Sequence, residues 1–216
     1  MSAPQLPQFA EATQFYACNW QATDEALYAL CRKHPDHQSH LSINAKLSII
    51  GRSYATGIER KIRTRYYQGS ALEPLGDHVW SCRHRLDRAM QPLREVREPL
   101  TIEGLSVILE VHGRILAVIR PALRPRQTPR SFVSKYLHFH CPAVPIYDSV
   151  AERELKKLVR WEPSLEVIRK PSPADETYFR FSMRFWSLHE SLREKGATVT
   201  AKSLDNFILW QERERR

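Results

Sequence analysis

Apolar residues recur at intervals of three and four along most of this sequence, and that spacing restricts the fold more than any other feature. The clearest example covers residues 72 to 90. Its apolar positions are Leu72, Leu75, Val79, Cys82, Leu86 and Met90. Such spacing places these side chains on one face of a helix and leaves Arg83, Arg85 and Arg88 outside it. The pattern predicts an amphipathic helix whose apolar face packs against a core.

The same periodicity predicts further helices. We expect them over residues 39 to 54, after Asp175, from Thr200 onward, and, in shorter form, at 24 to 33, 58 to 67, 131 to 140 and 149 to 160. The Val and Ile content of residues 101 to 119 also suits two strands that turn at His112 and Gly113. Their length without strict alternation, beside helical neighbours, favours one long buried helix. Gly196 is a plausible C-terminal cap for the helix that follows Asp175.

Together these elements predict an all-α protein. A chain of 216 residues can bury one sizeable core or two small ones. We expect a single helical domain over residues 1 to 216. The proline-rich stretch RPALRPRQTPRS, residues 120 to 131, is its one linker-like segment and could separate two helical lobes around a basic cleft.

The net charge of +9 favours a polyanionic partner such as nucleic acid, or an anionic membrane surface. No apolar run approaches the ~18 to 20 residues that a membrane span needs, and the first ten residues lack a secretory pattern. The four cysteines form no CxxC pair, which argues against zinc and suggests reduced thiols. We therefore expect a cytoplasmic, monomeric, DNA-binding protein without metal or other cofactor.

Two basic segments are candidates for phosphate contact. Residues 111 to 147 contain six Arg or Lys and no acid, and the arginines most suited to a phosphate backbone are Arg124, Arg126 and Arg130. The other segment carries Arg60, Lys61 and Arg63, is followed by two tyrosines, and is opposed only by Glu59. Basic residues next to aromatics suit a surface that follows a nucleic-acid backbone, but a solvated helix face explains them equally well.

Asp148 ends the acid-free stretch, and it admits two interpretations. As a structural residue it would cap the following helix, a role that Ser149 could also take by forming a capping box with Glu152. If Ser149 supplies the cap, Asp148 is free to face a site. We expect a carboxylate at a helix N-terminus among cations to be ionised, which suits it to stabilise a developing cation. The oxocarbenium ion of a breaking sugar C1–N bond is such a cation.

The segment PIYDSVAERELKKL, in which a proline-bearing loop leads through PxxDxxV into a helix, resembles the helix-hairpin-helix DNA glycosylase superfamily. The resemblance covers about 30 residues together with the helical pattern. It implies that Asp148 is the essential Asp, and that Lys135, in SFVSKYLHFH, matches the Lys of lyase-competent members. The hairpin segment RPRQTPRSFVSK lacks the family's glycines, so phosphate contact would fall to its arginines.

The resemblance implies an enzyme that flips a modified or damaged base out of DNA and cleaves its N-glycosidic bond. Alkylated, oxidised and deaminated bases, and modified phage bases, are all compatible with the sequence. Candidate base contacts are Tyr147, His138, His140, Asn44 and Tyr54. His138 and His140 also resemble metal ligands, but no further ligand completes a site, and Asn44 suits a core hydrogen bond at least as well.

Two alternatives remain open. A non-enzymatic nucleic-acid-binding protein would need the positive charge but not Asp148. A ribonuclease of the HEPN type, also all-helical, would use Arg184 and His189, which form the Arg-x4-His pattern in RFWSLH.

Overall fold

The structure is a computed structural model that describes residues 6–54, 56–63 and 70–214, with the side chains of residues 17–20 left aside. The predicted all-α fold is confirmed, since the described residues contain nine α-helices and no strand. The helices are α1 (Leu6–Lys33), α2 (His40–Ser48), α3 (Glu73–Ser81), α4 (Arg83–Met90), α5 (Ile102–Ile119), α6 (Arg130–His140), α7 (Ser149–Leu158), α8 (Glu176–Glu194) and α9 (Ala201–Arg213).

The core lies between the long helices. α9 packs against both α1 and α7, and α6 packs against α1 and α5. Phe9 of α1 meets Phe207 of α9 with ring centroids 5.7 Å apart, and Phe132 and Phe139 of α6 are almost completely buried. Burial of each such side chain contributes about 1.5 to 3 kcal/mol, so contacts of this kind hold α1, α6 and α9 together.

The apolar face predicted over residues 72 to 90 is buried as expected, but two helices carry it. Cys82, with φ −109° and ψ 13°, interrupts the helix between α3 and α4. Arg83 begins α4, donates from Nη1 to the Trp80 carbonyl at 3.0 Å, and lies over the Trp80 ring. The apolar residues of both helices, Leu75 and Val79 of α3 and Leu86 and Met90 of α4, are buried in the core.

The long helix predicted at 101 to 119 is confirmed as α5, and Gly113 explains how it packs. A Cβ at this position would lie 2.3 Å from the Pro173 carbonyl oxygen. The backbone before α8 therefore approaches α5 as closely as a residue without a side chain allows. Gly196, with φ +90°, follows α8 as the predicted C-terminal cap.

Three predicted elements differ from the structure. The first helix is much longer than 24 to 33, because Phe9 and Ala12 also pack inward. The helix predicted at 39 to 54 ends at Ser48 and continues as a π-helical turn, Ile49–Ser53. The helix predicted at 58 to 67 is wrong over its described part. Glu59–Lys61 is a 3-10 turn followed by the bridge residue Ile62, and residues 64–69 lie outside the described part of the chain.

No helix within the described ranges has the length and apolar character that crossing a membrane requires.

Candidate active site

A cavity of ≈ 350 Å³ opens where α1, α6, α9 and the start of α7 meet. Charged residues are unusually frequent in its wall. They are Asp24, Lys135, Asp148, Lys202, Asp205 and Glu212, with Tyr54 beside them. A second cavity of ≈ 270 Å³ beside Gly113 has only Arg120 and Asp175 as charged wall residues. The first cavity, which we call the acidic cavity, is therefore the better candidate for chemistry.

Asp148 is both a helix cap and a wall residue of the acidic cavity. Its Oδ1 accepts the backbone N–H of Ala151 at 2.7 Å, and its own backbone is extended, with φ −146° and ψ 172°. Of the two residues considered as the cap of α7, Asp148 takes the role, and Ser149 is already the first helical residue. Only one carboxylate oxygen is used by the cap. The other, Oδ2, lies 3.6 Å from Nζ of Lys135.

The loop between α6 and α7 brings Lys135 and Asp148 together. Ser134, the neighbour of Lys135, accepts the backbone N–H of Tyr147 at 2.9 Å through its hydroxyl oxygen. This hydrogen bond ties the residue before Asp148 to the residue before Lys135. The side chain of Lys135 is 10% exposed, and its Nζ donates to the Tyr54 carbonyl at 3.0 Å. The ammonium group is thus held between a carbonyl oxygen and a carboxylate.

Asp24 and Tyr54 form the opposite side of the acidic cavity. The Tyr54 hydroxyl donates to Asp24 Oδ1, and Lys202 lies 2.9 Å from Asp24 Oδ2. Burial and this hydrogen bond raise the pKa of Tyr54, so the phenol stays protonated and remains a donor. Asp24 is 6% exposed and would be costly to bury without these two partners.

Asp205 is a cavity residue that the sequence analysis missed. It is 3% exposed, and its Oδ1 is buried without a hydrogen-bond partner among the described residues. Burial raises the pKa of Asp205 to about 7; the Lys202 cation opposes this rise and the Asp148 carboxylate adds to it. One signal in the sequence could have identified it. Asp205 lies three residues before Ile208 on α9, so helical spacing places an acid within a buried apolar face.

His138 and His140 do not line the acidic cavity. His138 is completely buried, and its Nδ1 donates to the Val144 carbonyl at 2.8 Å while Nε2 accepts from the Tyr28 hydroxyl at 2.5 Å. Burial lowers the pKa of His138 to about 3, so the ring is a neutral core group. His140 lies beside Lys46, with its Nε2 3.4 Å from the Lys46 Nζ. Neither ring is placed to contact a bound base.

Tyr147 and Asn44 also lie elsewhere. The Tyr147 hydroxyl donates to Glu152 at 2.6 Å, and its ring packs edge-on against Phe181. Asn44 is a residue of α2, and its side chain packs against α3, where it fills the space beside Gly76. Its amide nitrogen is 3.3 Å from His40 Nδ1. Of the five predicted base-contacting residues, Tyr54 is the one in the wall of the acidic cavity.

The two basic segments are adjacent in space. Ile62 pairs with Leu123 in an antiparallel bridge, and the backbone N–H of Arg124 donates to the Lys61 carbonyl at 2.8 Å. Exposed arginines of both segments therefore share one surface, which we call the basic strip. Its members are Arg60, Arg63, Arg120, Arg124 and Arg126. Arg60 and Arg63 of the strip follow soon after Tyr54, a residue of the cavity wall, in the sequence.

Lys61 and Arg130 are less available for phosphate contact than predicted. Lys61 is half-buried, and its Nζ donates to the Thr128 carbonyl at 3.3 Å. Arg130 forms a bidentate pair with Asp175, with distances of 2.5 and 3.0 Å. Asp175 also caps α8 by accepting the Tyr178 N–H at 2.9 Å. The pair joins the start of α6 to the start of α8, which is a structural role.

Arg184 and His189 have separate environments. Arg184 donates to the Val159 carbonyl at 3.2 Å and lies over the Trp161 ring. His189 is completely buried, with its Nδ1 2.9 Å from Glu190. An Arg–His pair that attacks RNA would need both groups at one open site, and these two do not share one.

Within the described residues, no group of three or more His, Cys, Asp or Glu side chains is arranged to hold a metal ion. Comparison with known proteins identified no matching family, no matching curated protein and no matching solved structure.

Proposed function

We propose that this protein is a DNA glycosylase, which extrudes a modified or damaged base and cleaves its N-glycosidic bond. The observation that carries the proposal is the Lys135–Asp148 pair in the wall of a cavity large enough for a small ligand. The glycosylase resemblance singled out the same two residues. The lobes on either side of residues 120 to 131 would then grip the DNA duplex, and the acidic cavity would receive the extruded nucleotide.

Asp148 suits the stabilisation of a sugar cation. Its capping hydrogen bond fixes one carboxylate oxygen, which leaves the other to face the cavity at a defined position. As the C1′–N bond of the extruded nucleotide breaks, positive charge develops on the sugar ring. A preorganised carboxylate in a partly buried site stabilises that charge without having to reorganise. Water then adds to C1′ and gives an abasic site.

Lys135 suits a positioning role beside Asp148. Its ammonium group donates to the Tyr54 carbonyl and lies close to the free Asp148 oxygen. This arrangement fixes the direction of the carboxylate. An amine that attacked C1′ would first have to lose its proton and leave these partners.

The basic strip suits the DNA backbone. Its arginines come from two segments that the Ile62–Leu123 bridge holds together, so their relative positions are set before DNA binds. Phosphate contacts fix the register of a duplex without reading its sequence. Arg60 and Arg63 follow soon after Tyr54 in the sequence. Phosphates bound by these two arginines would therefore contact the segment that leads to the cavity wall.

A non-enzymatic nucleic-acid-binding protein is the second candidate, and the basic strip alone favours it. That function does not require the acidic cavity or the buried carboxyl groups in its wall. Base excision accounts for the strip and the cavity together.

The proposal is tested by incubation with duplex DNA that carries single modified bases, in the presence of EDTA, followed by alkali. The panel should include alkylated, oxidised and deaminated bases and modified phage bases. We expect alkali-dependent strand breaks at one class of modified base, and none with Asp148→Asn. Breaks that appear only with a divalent cation would instead support a nuclease. DNA binding without base release from any member of the panel would leave the binding protein as the better account.

A further inference from the structure

Asp205 is a buried carboxyl group in the wall of the acidic cavity. The other acids of the acidic cavity have partners: Asp24 binds Tyr54 and Lys202, and Asp148 caps α7. Asp205 Oδ1 has no hydrogen-bond partner among the described residues, although the side chain is almost completely buried. A buried polar group without a partner destabilises the fold. A residue kept at that cost is a candidate for a role in ligand binding or chemistry.

The surroundings of Asp205 favour its neutral form. Asp24 of α1 and Asp148 at the start of α7 face it and disfavour a further negative charge, whereas Lys135 of α6 and Lys202 of its own helix favour one. Both lysines already neutralise another acid, Lys202 at Asp24 and Lys135 at Asp148. Desolvation is the largest effect, and it raises the pKa of Asp205 to about 7. These four charged residues all line the acidic cavity, so the carboxyl group of Asp205 belongs to that cavity.

Two carboxyl groups in one cavity with different surroundings are suited to different steps of one reaction. Asp148 has a cation 3.6 Å away, whereas Asp205 has no partner at Oδ1 among the described residues. When a glycosidic bond breaks, the departing group carries away the electron pair and leaves more easily if it is protonated. A positioned general acid typically contributes about 10²- to 10⁴-fold in rate.

We propose that Asp205 is the general acid that protonates the departing base, an inference that rests on the proposed glycosylase function. The C1′–N bond breaks, its electron pair remains on the base, and the Asp205 proton passes to a nitrogen or oxygen of that base. The base leaves in neutral form. Water adds its oxygen to C1′ and releases one proton, which returns to the Asp205 carboxylate. The products are the free base and an abasic sugar, and no oxidant or reductant takes part.

The assignment also defines a class of substrate. A base that is already cationic, such as a purine alkylated on a ring nitrogen, leaves without further protonation. A neutral modified base with an accessible nitrogen or oxygen acceptor gains most from a general acid. The enzyme should therefore act on neutral bases, with Asp205 contributing to their departure.

The test is the pH dependence of single-turnover base release from the neutral substrate that the panel identifies. For the wild-type protein we expect the rate constant to fall about tenfold per pH unit above about pH 7, as Asp205 loses its proton. Asp205→Asn should be at least ~10²-fold slower at pH 6 and should lose this dependence. Asp205→Glu, which keeps an acid, should retain a rate constant that falls as the pH rises. Asp77→Asn, on the exposed surface of α3, is the matched control and should behave as wild type.

Several outcomes would overturn the assignment. One is an Asp205→Asn rate constant within threefold of wild type. Another is a rate constant that still falls with rising pH in this variant. A third is that the base released by the wild-type protein is already cationic. A carboxyl carbon signal of Asp205 that titrates below pH 5 in the NMR spectrum of the wild-type protein would also overturn it, whatever the variants do. If wild type releases no base at all, the glycosylase proposal itself fails. If wild type is active and only the Asp205 results are negative, the glycosylase proposal survives without this general acid.

Discussion

The Nζ atom of Lys135 lies 3.6 Å from Oδ2 of Asp148, although one residue is within α6 and the other precedes α7. The hydrogen bond between Ser134 and Tyr147 holds the two segments in this register. Because the cap uses Oδ1 and Oδ2 faces Lys135, a single carboxylate can serve both as the cap and in the catalytic role proposed above. Substitution can separate them.

Asp148→Asn should leave the fold intact and remove most of the activity. Asn caps helices about as well as Asp, so the loss in the free energy of unfolding should be limited to that of the ion pair with Lys135. The negative charge opposite the sugar cation is lost, and removing a positioned electrostatic group typically costs about 10² to 10³ in rate. DNA affinity should persist or rise, since one charge that repels phosphate is gone. Single-turnover kinetics, binding and thermal unfolding measure the three effects, and excision at the wild-type rate would show that Asp148 is only a cap.

If water is the nucleophile, borohydride should trap no covalent protein–DNA adduct. Lys135 Nζ donates to the Tyr54 carbonyl and lies beside Asp148, and a nitrogen held by these partners is not free to attack C1′. The measurement is gel electrophoresis after incubation with substrate and sodium borohydride. An adduct in wild type and in Lys202→Met, but not in Lys135→Met, would contradict this prediction and assign lyase chemistry to Lys135. Lys202 is a suitable control because it lines the same cavity.

Local patterns predicted the helices well, and contacts between distant segments account for what they missed. All six apolar positions that the spacing at 72 to 90 identified are buried, yet it could not show that Cys82 divides the helix. The basic segment predicted as a helix at 58 to 67 instead forms a bridge at Ile62. Its partner, Leu123, is far away in sequence, and the periodicity of neither segment indicates such a pairing.

The candidate site was only partly predictable for a related reason. A carboxylate that ends a long basic stretch stands out in sequence, so Asp148 could be found. His138 was singled out by residue type, but burial and two hydrogen bonds make it a core group. Asp24 became a candidate only when packing of α1 against α9 brought it into the same cavity as Asp205.

Gly113→Ala should destabilise the protein, although alanine is the better helix former by about 1 kcal/mol. The new Cβ would lie 2.3 Å from the Pro173 oxygen and 2.6 Å from its carbonyl carbon. These are backbone atoms, so α5 and the segment before α8 must move apart. We expect a net loss of about 1 to 3 kcal/mol in the free energy of unfolding, measured by denaturant titration.

Gly104→Ala is the matched control for that substitution, because it lies in the same helix. Its Cβ would meet the end of the Val96 side chain at 3.3 Å, and a side chain can adjust. This variant should be close to wild type in stability. Equal losses in the two variants would show that the close approach at Pro173 does not determine the effect.

The last prediction separates the arginines of the basic strip from Arg130. Arg124→Ala with Arg126→Ala should weaken DNA binding and lower stability less than Arg130→Ala, since both side chains are exposed and Arg124 loses a hydrogen bond to the Ile62 carbonyl rather than an ion pair. For every phosphate that the variant no longer neutralises, the slope of log K against log salt should fall by about 0.9 on duplex DNA. Binding by the double variant that matches wild type in both affinity and salt slope would remove the strip from the DNA interface.

Arg130→Ala should instead lower stability, because it leaves Asp175 half-buried without its bidentate partner. Burial alone would raise the pKa of Asp175, but the hydrogen bonds from Arg130 and the Tyr178 amide lower it. A carboxyl group with a lowered folded-state pKa contributes stability above its unfolded pKa of about 3.9 and loses that contribution as the pH falls. The difference between wild type and Arg130→Ala in the free energy of unfolding should therefore be large at pH 7 and should shrink toward pH 3. A difference that stays constant over this range would mean that Arg130 stabilises the start of α6 by packing rather than by its charge. If Arg130→Ala instead reduced the slope of log K against log salt as the strip variant does, Arg130 would belong to the DNA-binding surface.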